Sequence, residues 1–284
     1  MEYLISLSVL VGLYVILASS FNLIIGYGGL ISIAHPIFFA LGAYTVGVLS
    51  VHTGLHPVLA VAAGAGVALV ASFALSLPSL RISGDYLLIT SIGFQLGLIE
   101  IIKNINFLGG ASGLGGIPNV VTNHRSLVFA VAALGTALAV VLLIRWLVRG
   151  PYGRAIRAMR DDELAFSALG RHAMTIKIAI FALGSGMAGI AGGIYAYYYQ
   201  YVTPDQFQIL QSAMILTMVV VGGMGSVLGP VVGAVLLILL PEAITFLNLP
   251  SSVMGPLQGI IFTLLVIVFL FARPQGLVAP AKPN

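Results

Sequence analysis

Nine apolar runs, most of them long enough to cross a bilayer, constrain this chain more than any other feature. The hydrocarbon core of a membrane is roughly 30 Å thick, and a helix needs about 20 apolar residues to span it. The runs are Tyr3–Ile25, Leu30–Ser50, Pro57–Leu77, Tyr86–Ile102, Leu127–Leu147, Ile178–Tyr201, Gln206–Val221, Val227–Leu247 and Leu257–Ala272. Tyr86–Ile102 and Gln206–Val221 are the shortest. Only 7% of the 284 residues are charged and 60% are hydrophobic, too little charge to wet a soluble domain of this length. Period-2 alternation, which a membrane β-barrel needs, is absent. The sequence therefore predicts an all-α polytopic membrane protein with about nine transmembrane helices, within a range of eight to ten. The first residues, MEYLISLSVL, lack a basic n-region and read as an uncleaved first span. Cysteine is absent, which excludes disulfides, thiol chemistry and cysteine-ligated metals.

Orientation follows from the Lys/Arg bias. Seven of the twelve basic residues lie between Arg145 and Lys177: Arg145, Arg149, Arg154, Arg157, Arg160, Arg171 and Lys177. With three acids in the same interval, that loop carries +4, the net charge of the whole chain. It is predicted to be cytoplasmic. Counting spans outward places Arg81, Arg273 and Lys282 inside and leaves Lys103 and Arg125 outside. The split is ten to two. It implies an external N-terminus, nine crossings and a cytoplasmic C-terminus.

Within the loop, Pro151 and Gly153 break the chain after the fifth span, and Gly170 suits the left-handed residue that ends a helix. Ile156, Met159, Phe166 and Leu169 recur at near-helical spacing, while Arg154, Arg157 and Arg160 share another face. The segment from Arg154 to Leu169 reads as one short amphipathic helix. A generic basic loop would lie on anionic lipid. Asp161, Asp162 and Glu163 argue against that here, because they would repel anionic headgroups. Both signs of charge with a modest apolar face suit a protein partner better.

The segment GPYGRAIRAMRDDELAFSALG, followed by IKIAIFALGSGMAGIAGGIYAYYYQYVTPDQF, resembles the coupling-loop region of ABC-importer permeases for branched-chain amino acids. It is closer to the M-type of the two paralogous permease subunits. FNLIIGYGGLISIAHPIFFALGAYTVGVL, GDYLLITSIGFQ, GGMGSVLGPVVGAVLL and FARPQGL are similar to further family motifs, so the resemblance covers nearly the whole chain. It implies one transmembrane permease domain over 1–284, with a coupling loop at about 148–177, in the inner membrane of a prokaryote. It further implies two cytoplasmic ATPase subunits, a paralogous permease, an external solute-binding protein and a setting of membrane lipid. In the family the coupling helix sits in a groove on the ATPase and passes its motion to the spans. Carried over, Arg154, Arg157, Arg160, Asp161, Asp162, Glu163 and Gly170 are the coupling candidates. The Glu-Ala-Ala-x-x-x-Gly pattern of many importer permeases reads here as Glu163-Leu164-Ala165, with Gly170 seven residues after the Glu. No cofactor is expected on this chain. A P-loop needs a Gly-Lys pair, and the three lysines follow Ile102, Ile176 and Ala281, so ATP would be hydrolysed by the partner subunits.

GGLISIAHP (Gly28–Pro36) and GGMGSVLGP (Gly222–Pro230) share Gly-Gly-x-x-Ser-x-x-x-Pro, 194 residues apart. This is either coincidence in a chain with 34 glycines or a parallel internal repeat. In either case paired glycines before a proline interrupt or tightly pack a helix. Freed backbone groups in lipid need protein or a water-filled cavity to satisfy them, so both segments should face the bundle interior. Asn22, Ser32, His35, Gln95, Gly222, Gly223 and Ser226 are accordingly candidates for a translocation path. His35, beside Pro36 and one turn after Ser32, is weighed between a path residue and a hydrogen-bonded structural one, the latter favoured. Glu100 and Lys103 share a helix face and should pair. Asp85 reads as a span-start cap, and the tyrosines at 195, 197, 198, 199 and 201 as an interfacial belt.

Other function classes find little support. His52 and His56 are four apart, but Gly54 and Pro57 spoil a shared face. No catalytic triad or paired carboxylate is present, and basic residues confined to the inner side leave no nucleic-acid surface. Permeation of a small solute delivered by the binding protein is the principal reading. Its alternative, an ion-coupled secondary transporter, needs intramembrane carboxylates, and only Glu100 and Glu242 lie near spans.

Overall fold

The computed structural model describes residues 2–79, 85–121 and 124–245, with 260, 263, 264, 267, 268 and 276–278. Most of the ninth run, Leu257–Ala272, lies outside the described residues, as do Arg81, Arg273 and Lys282. Among the described residues there is no strand, only one isolated antiparallel bridge between Leu114 and Val202. Among the described residues six helices are long and apolar enough to span. They are α1 (Glu2–Asn22, prolonged by a π-helical turn over Leu23–Tyr27), α2 (His35–Thr53), α3 (Pro57–Ser79), α4 (Asp85–Asn104), α5 (Arg125–Arg149) and α8 (Ala173–Tyr199). Between α5 and α8 lie α6 (Pro151–Asp161) and α7 (Glu163–Ala168). Two shorter apolar helices follow, α9 (Ile209–Gly222) and α10 (Gly229–Thr245).

The 14 residues of α9 cover only about 21 Å at 1.5 Å per residue, less than a bilayer core. The predicted run Gln206–Val221 is divided because Pro204–Phe207 forms a separate 3₁₀ turn held by a Thr203–Gln206 capping box. Likewise the run from Leu30 becomes helical only at His35, with Pro36 at its first turn. Residues 29–34 form a non-helical connection instead.

Close backbone contact organises the centre. In lipid, apolar surface alone does not drive helices together, so small residues that let backbones touch take over that role. Gly42 of α2 and Gly189 and Gly192 of α8 meet in this way. A Cβ on Gly192 would stand 2.1 Å from the Phe39 carbonyl oxygen, and one on Gly42 2.2 Å from that of Gly189. The aromatic core fills in around them, with Phe38 edge-on to Phe181 at 5.8 Å and Phe39 to Phe207 at 5.2 Å. The apolar stretches of α8 and α2 are 72% and 61% buried inside the protein, against 28% in α3 and α4. Thus α8 and α2 are central, and α3 and α4 peripheral.

Successive spans alternate in direction. Along α8 from Gly186 to Gly193 the facing α3 residues fall from Leu69 to Val61, an antiparallel pair. Arg160 of α6 reaches Gly26 at the end of α1, so α1 and α5 finish on the same face as α6 and α7. Leu277 and Val278 donate to the carbonyls of Val221 and Gly222, which brings the end of the described chain to that face too. The start of α1 lies on the opposite one.

Candidate functional site

The connection after α5 is two helices rather than the predicted one. Asp162 has an extended backbone (φ −152°, ψ 101°), and its carboxylate accepts the Ala165 N–H at 2.9 Å. An acidic N-cap gains more there than it would in mid-helix, and the chain bends at that point. Ile156, Met159 and Phe166 turn into the protein. Leu164 and Leu169 are 85% and 81% exposed, apolar side chains on the open face of the loop. Arg154, Asp161, Asp162 and Gly170 are exposed beside them, and Gly170 (φ +75°) ends α7 as expected.

Two side chains tie this loop to the spans. Lys177, buried in α8, pairs with Glu163 of α7 at 2.6 and 2.7 Å. The Arg160 guanidinium donates to the Gly26 carbonyl, in the π-helical turn that ends α1. Its aliphatic stem lies over Gly29, whose φ is +67°. Arg157 makes a weaker link, 3.4 Å to the Val148 carbonyl at the end of α5.

Directly behind Arg160 the two glycine-rich regions meet. Asn22 donates through Nδ2 to the Ser226 carbonyl at 2.8 Å and accepts the Gly225 N–H through Oδ1 at 2.9 Å. Ser226 closes its own turn, donating to the Gly223 carbonyl and accepting the Gly229 N–H, both at 2.9 Å. Gly26 has room for no side chain here, since a Cβ would fall 2.6 Å from the Gly225 nitrogen. Gly222 packs against the Gly229 backbone at the same turn. The structure thus brings together Arg160, Asn22, Gly222, Gly223 and Ser226, residues scattered over most of the chain.

A second polar group staples the non-helical segment 29–34. Ser212 Oγ donates to the Ile33 carbonyl at 2.7 Å and lies 3.1 Å from Gln95 Oε1. Gln95 Nε2 donates to the Phe207 carbonyl at 3.0 Å, and the Ile33 N–H donates to Ser91 Oγ at 2.9 Å. Ser32 receives the Ala34 N–H at 3.3 Å. His35 stands apart from Ser32. Its Nε2 is 2.9 Å from Ser20 Oγ, its ring leans on Phe21 at 5.0 Å, and it is buried. Broken backbone in a low-dielectric setting needs such partners. Ser20, Gly26, Ser91, Lys177 and Ser212 are the participants that sequence reasoning missed. Serines in apolar runs, a glycine near the end of the first run and a lysine one turn inside a span were their only signals.

On the opposite face Lys103 pairs with Asp205 at 2.9 Å rather than with Glu100. Glu100 instead accepts from Asn104 at 3.1 Å, and the turn after α8 brings Asp205 closer to the ammonium. Lys103 holds the Asp205 carboxyl below its usual value, helped by Gln208. The tyrosine belt is half internal. Tyr197 is buried and accepts from Ser50 at 2.7 Å, and Tyr195 packs on Phe39 and Tyr199. Tyr199 and Tyr201 are the ones that stand at the surface.

Known proteins resemble this chain along nearly its whole length. The family model for the permease component of branched-chain amino acid transport systems matches residues 3–270. The high-affinity branched-chain amino acid transport system permease protein LivM of Escherichia coli (strain K12) is 30% identical over 99% of this chain and 71% of its own length. Its counterpart in Salmonella typhimurium is 31% identical over 96% and 69%. The probable LivM of Methanocaldococcus jannaschii is 27% identical over 96% of this chain and 92% of its own. No solved structure matches the chain.

Proposed function

The chain belongs to the family of branched-chain amino acid transport permease components, and from that premise we propose that it acts as one permease domain in an ATP-driven importer of branched-chain amino acids or a closely related small solute. Two cytoplasmic ATPases would supply the energy, a paralogous permease would complete the pathway, and an external binding protein would deliver the solute. The face bearing α6 and α7 is assigned to the cytoplasm by its basic residues. Exposed Leu164 and Leu169, flanked by Arg154, Asp161 and Asp162, offer the ATPase an apolar contact within a charged rim.

The observation that carries this reading is the pair of ties from the loop into the spans, Arg160 to Gly26 and Glu163 to Lys177. A helix rocked by a closing ATPase dimer would move the glycine-rich turns through Arg160 and the inner end of α8 through Lys177. Asn22, Gln95, Ser212 and Ser226 spend hydrogen bonds on broken backbone, which suits a path that passes solute without holding it, recognition being left to the binding protein.

The test is ATPase activity of the reconstituted complex with and without loaded binding protein. Glu163→Lys sets two ammonium groups against each other and is expected to abolish solute stimulation while the complex still assembles. Glu163→Lys with Lys177→Glu is expected to restore part of it. Full stimulation in the single variant would refute the coupling role.

A further inference from the structure

The basic residues of the 145–177 interval divide into engaged and free ones. Arg157, Arg160 and Lys177 bond within the protein. Arg145, Arg149, Arg154 and Arg171 have no side-chain ion pair or hydrogen bond among the described residues, and of these Arg145 and Arg149 lie on α5. These two sit one turn apart on α5 and, with Leu142, Trp146 and Gly150, line a surface cleft where α5 ends. Trp146 is 70% exposed.

That cleft continues a stripe. Val131, Leu134, Leu138 and Leu142 form an exposed apolar face along α5, while Ala133, Ala137, Val140, Ile144 and Val148 face the bundle. From Val131 to Leu142 the stripe runs about 17 Å, the depth of one leaflet's acyl region. It ends in two guanidiniums and an indole at the level where a span meets headgroups. Guanidinium takes phosphate oxygens bidentately, and indole favours the interface. α5 carries no acid to neutralise either arginine.

We propose that Arg145, Trp146 and Arg149 form a binding site for the headgroup phosphate of an anionic phospholipid, whose acyl chains lie along the α5 stripe. The anionic-lipid contact that a basic loop suggests is thereby moved from α6 and α7, with their three acids, to the end of α5. The site does not depend on the transport reading.

Trp146 is the single tryptophan of the chain and reports on its own site. The full chain would be reconstituted in phosphatidylcholine vesicles containing phosphatidylglycerol, with bromine on the acyl chains of one lipid or the other. Brominated phosphatidylglycerol is expected to quench Trp146 well beyond its mole fraction. The preference should fall about fivefold for each single variant, Arg145→Gln or Arg149→Gln, and about 25-fold for both. The double Arg→Lys variant keeps the charge but not the planar fork and should retain only part of it. Unchanged quenching by brominated phosphatidylcholine would show that each variant still places α5 in the bilayer. Equal quenching by the two lipids in the unaltered chain would overturn the site, as would a preference that survives in Arg145→Gln/Arg149→Gln. A Trp146 shielded from both lipids would overturn it as well, because protein would then cover the cleft.

Discussion

Asn22 and Ser226, 204 residues apart, are joined by a 2.8 Å hydrogen bond from the Asn22 amide to the Ser226 carbonyl, and the same side chain takes the Gly225 N–H. One amide therefore satisfies a donor and an acceptor of a buried glycine-rich turn. Asn22→Ala leaves both unpaired, at a cost of about 1–3 kcal/mol for each group. The expected result is a large fall in thermal stability in detergent together with reduced uptake. A variant as stable as the unaltered protein would show that the turn finds other partners.

Arg160 should separate assembly from transport. Arg160→Gln keeps a donor but shortens the side chain and removes its charge, so the loop loses its grip on the Gly26 carbonyl. The complex should assemble and hydrolyse ATP at its basal rate while uptake falls at least tenfold. Loss of ATPase subunits on purification would mean that Arg160 contacts the partner instead.

The Lys103–Asp205 pair predicts a pH dependence on the face opposite α6 and α7. Its folded-state carboxyl titrates below the ordinary value of 3.8. The contribution is therefore complete above that value and is lost as pH falls through the lower, folded one. Thermal unfolding of Asp205→Asn should match the unaltered protein in strong acid and fall slightly below it near neutrality. A difference that grows as pH drops would contradict this. The pair is exposed, so the effect should be small.

Gly192→Ala tests the central contact. Its Cβ would meet the Phe39 carbonyl at 2.1 Å, a backbone atom that cannot swing away. Separation of α2 from α8 should destabilise the protein by about 1–3 kcal/mol. Gly66→Ala and Gly97→Ala, with open space at the Cβ position, are controls expected to be neutral or slightly stabilising. Equal effects in all three would point to helix propensity rather than contact.

Much of the architecture is legible in the order of the residues. Among the described residues six runs are full spans, because hydrophobic length against bilayer thickness is a local property. Charge marks the coupling candidates as a set, yet their division into inward and outward members is invisible in the sequence. Arg160 and Glu163 bond into the bundle, whereas Arg154 and Asp161, at similar spacing, make no such bond among the described residues. Glu100 and Lys103 show the same limit, since a shared helix face does not outweigh an Asp205 brought near by another loop.

By itself the sequence determined that this chain lies in a membrane as helices, which stretch leaves it, and which glycines interrupt it. These follow from solvation and backbone chemistry acting residue by residue. Tertiary structure alone decided that Asn22 meets Ser226, that Ser212 and Ser91 hold Ile33, and that His35 turns to Ser20 rather than Ser32. A broken backbone in lipid must find hydrogen-bond partners, but which partners it finds depends on helices packed from distant parts of the chain.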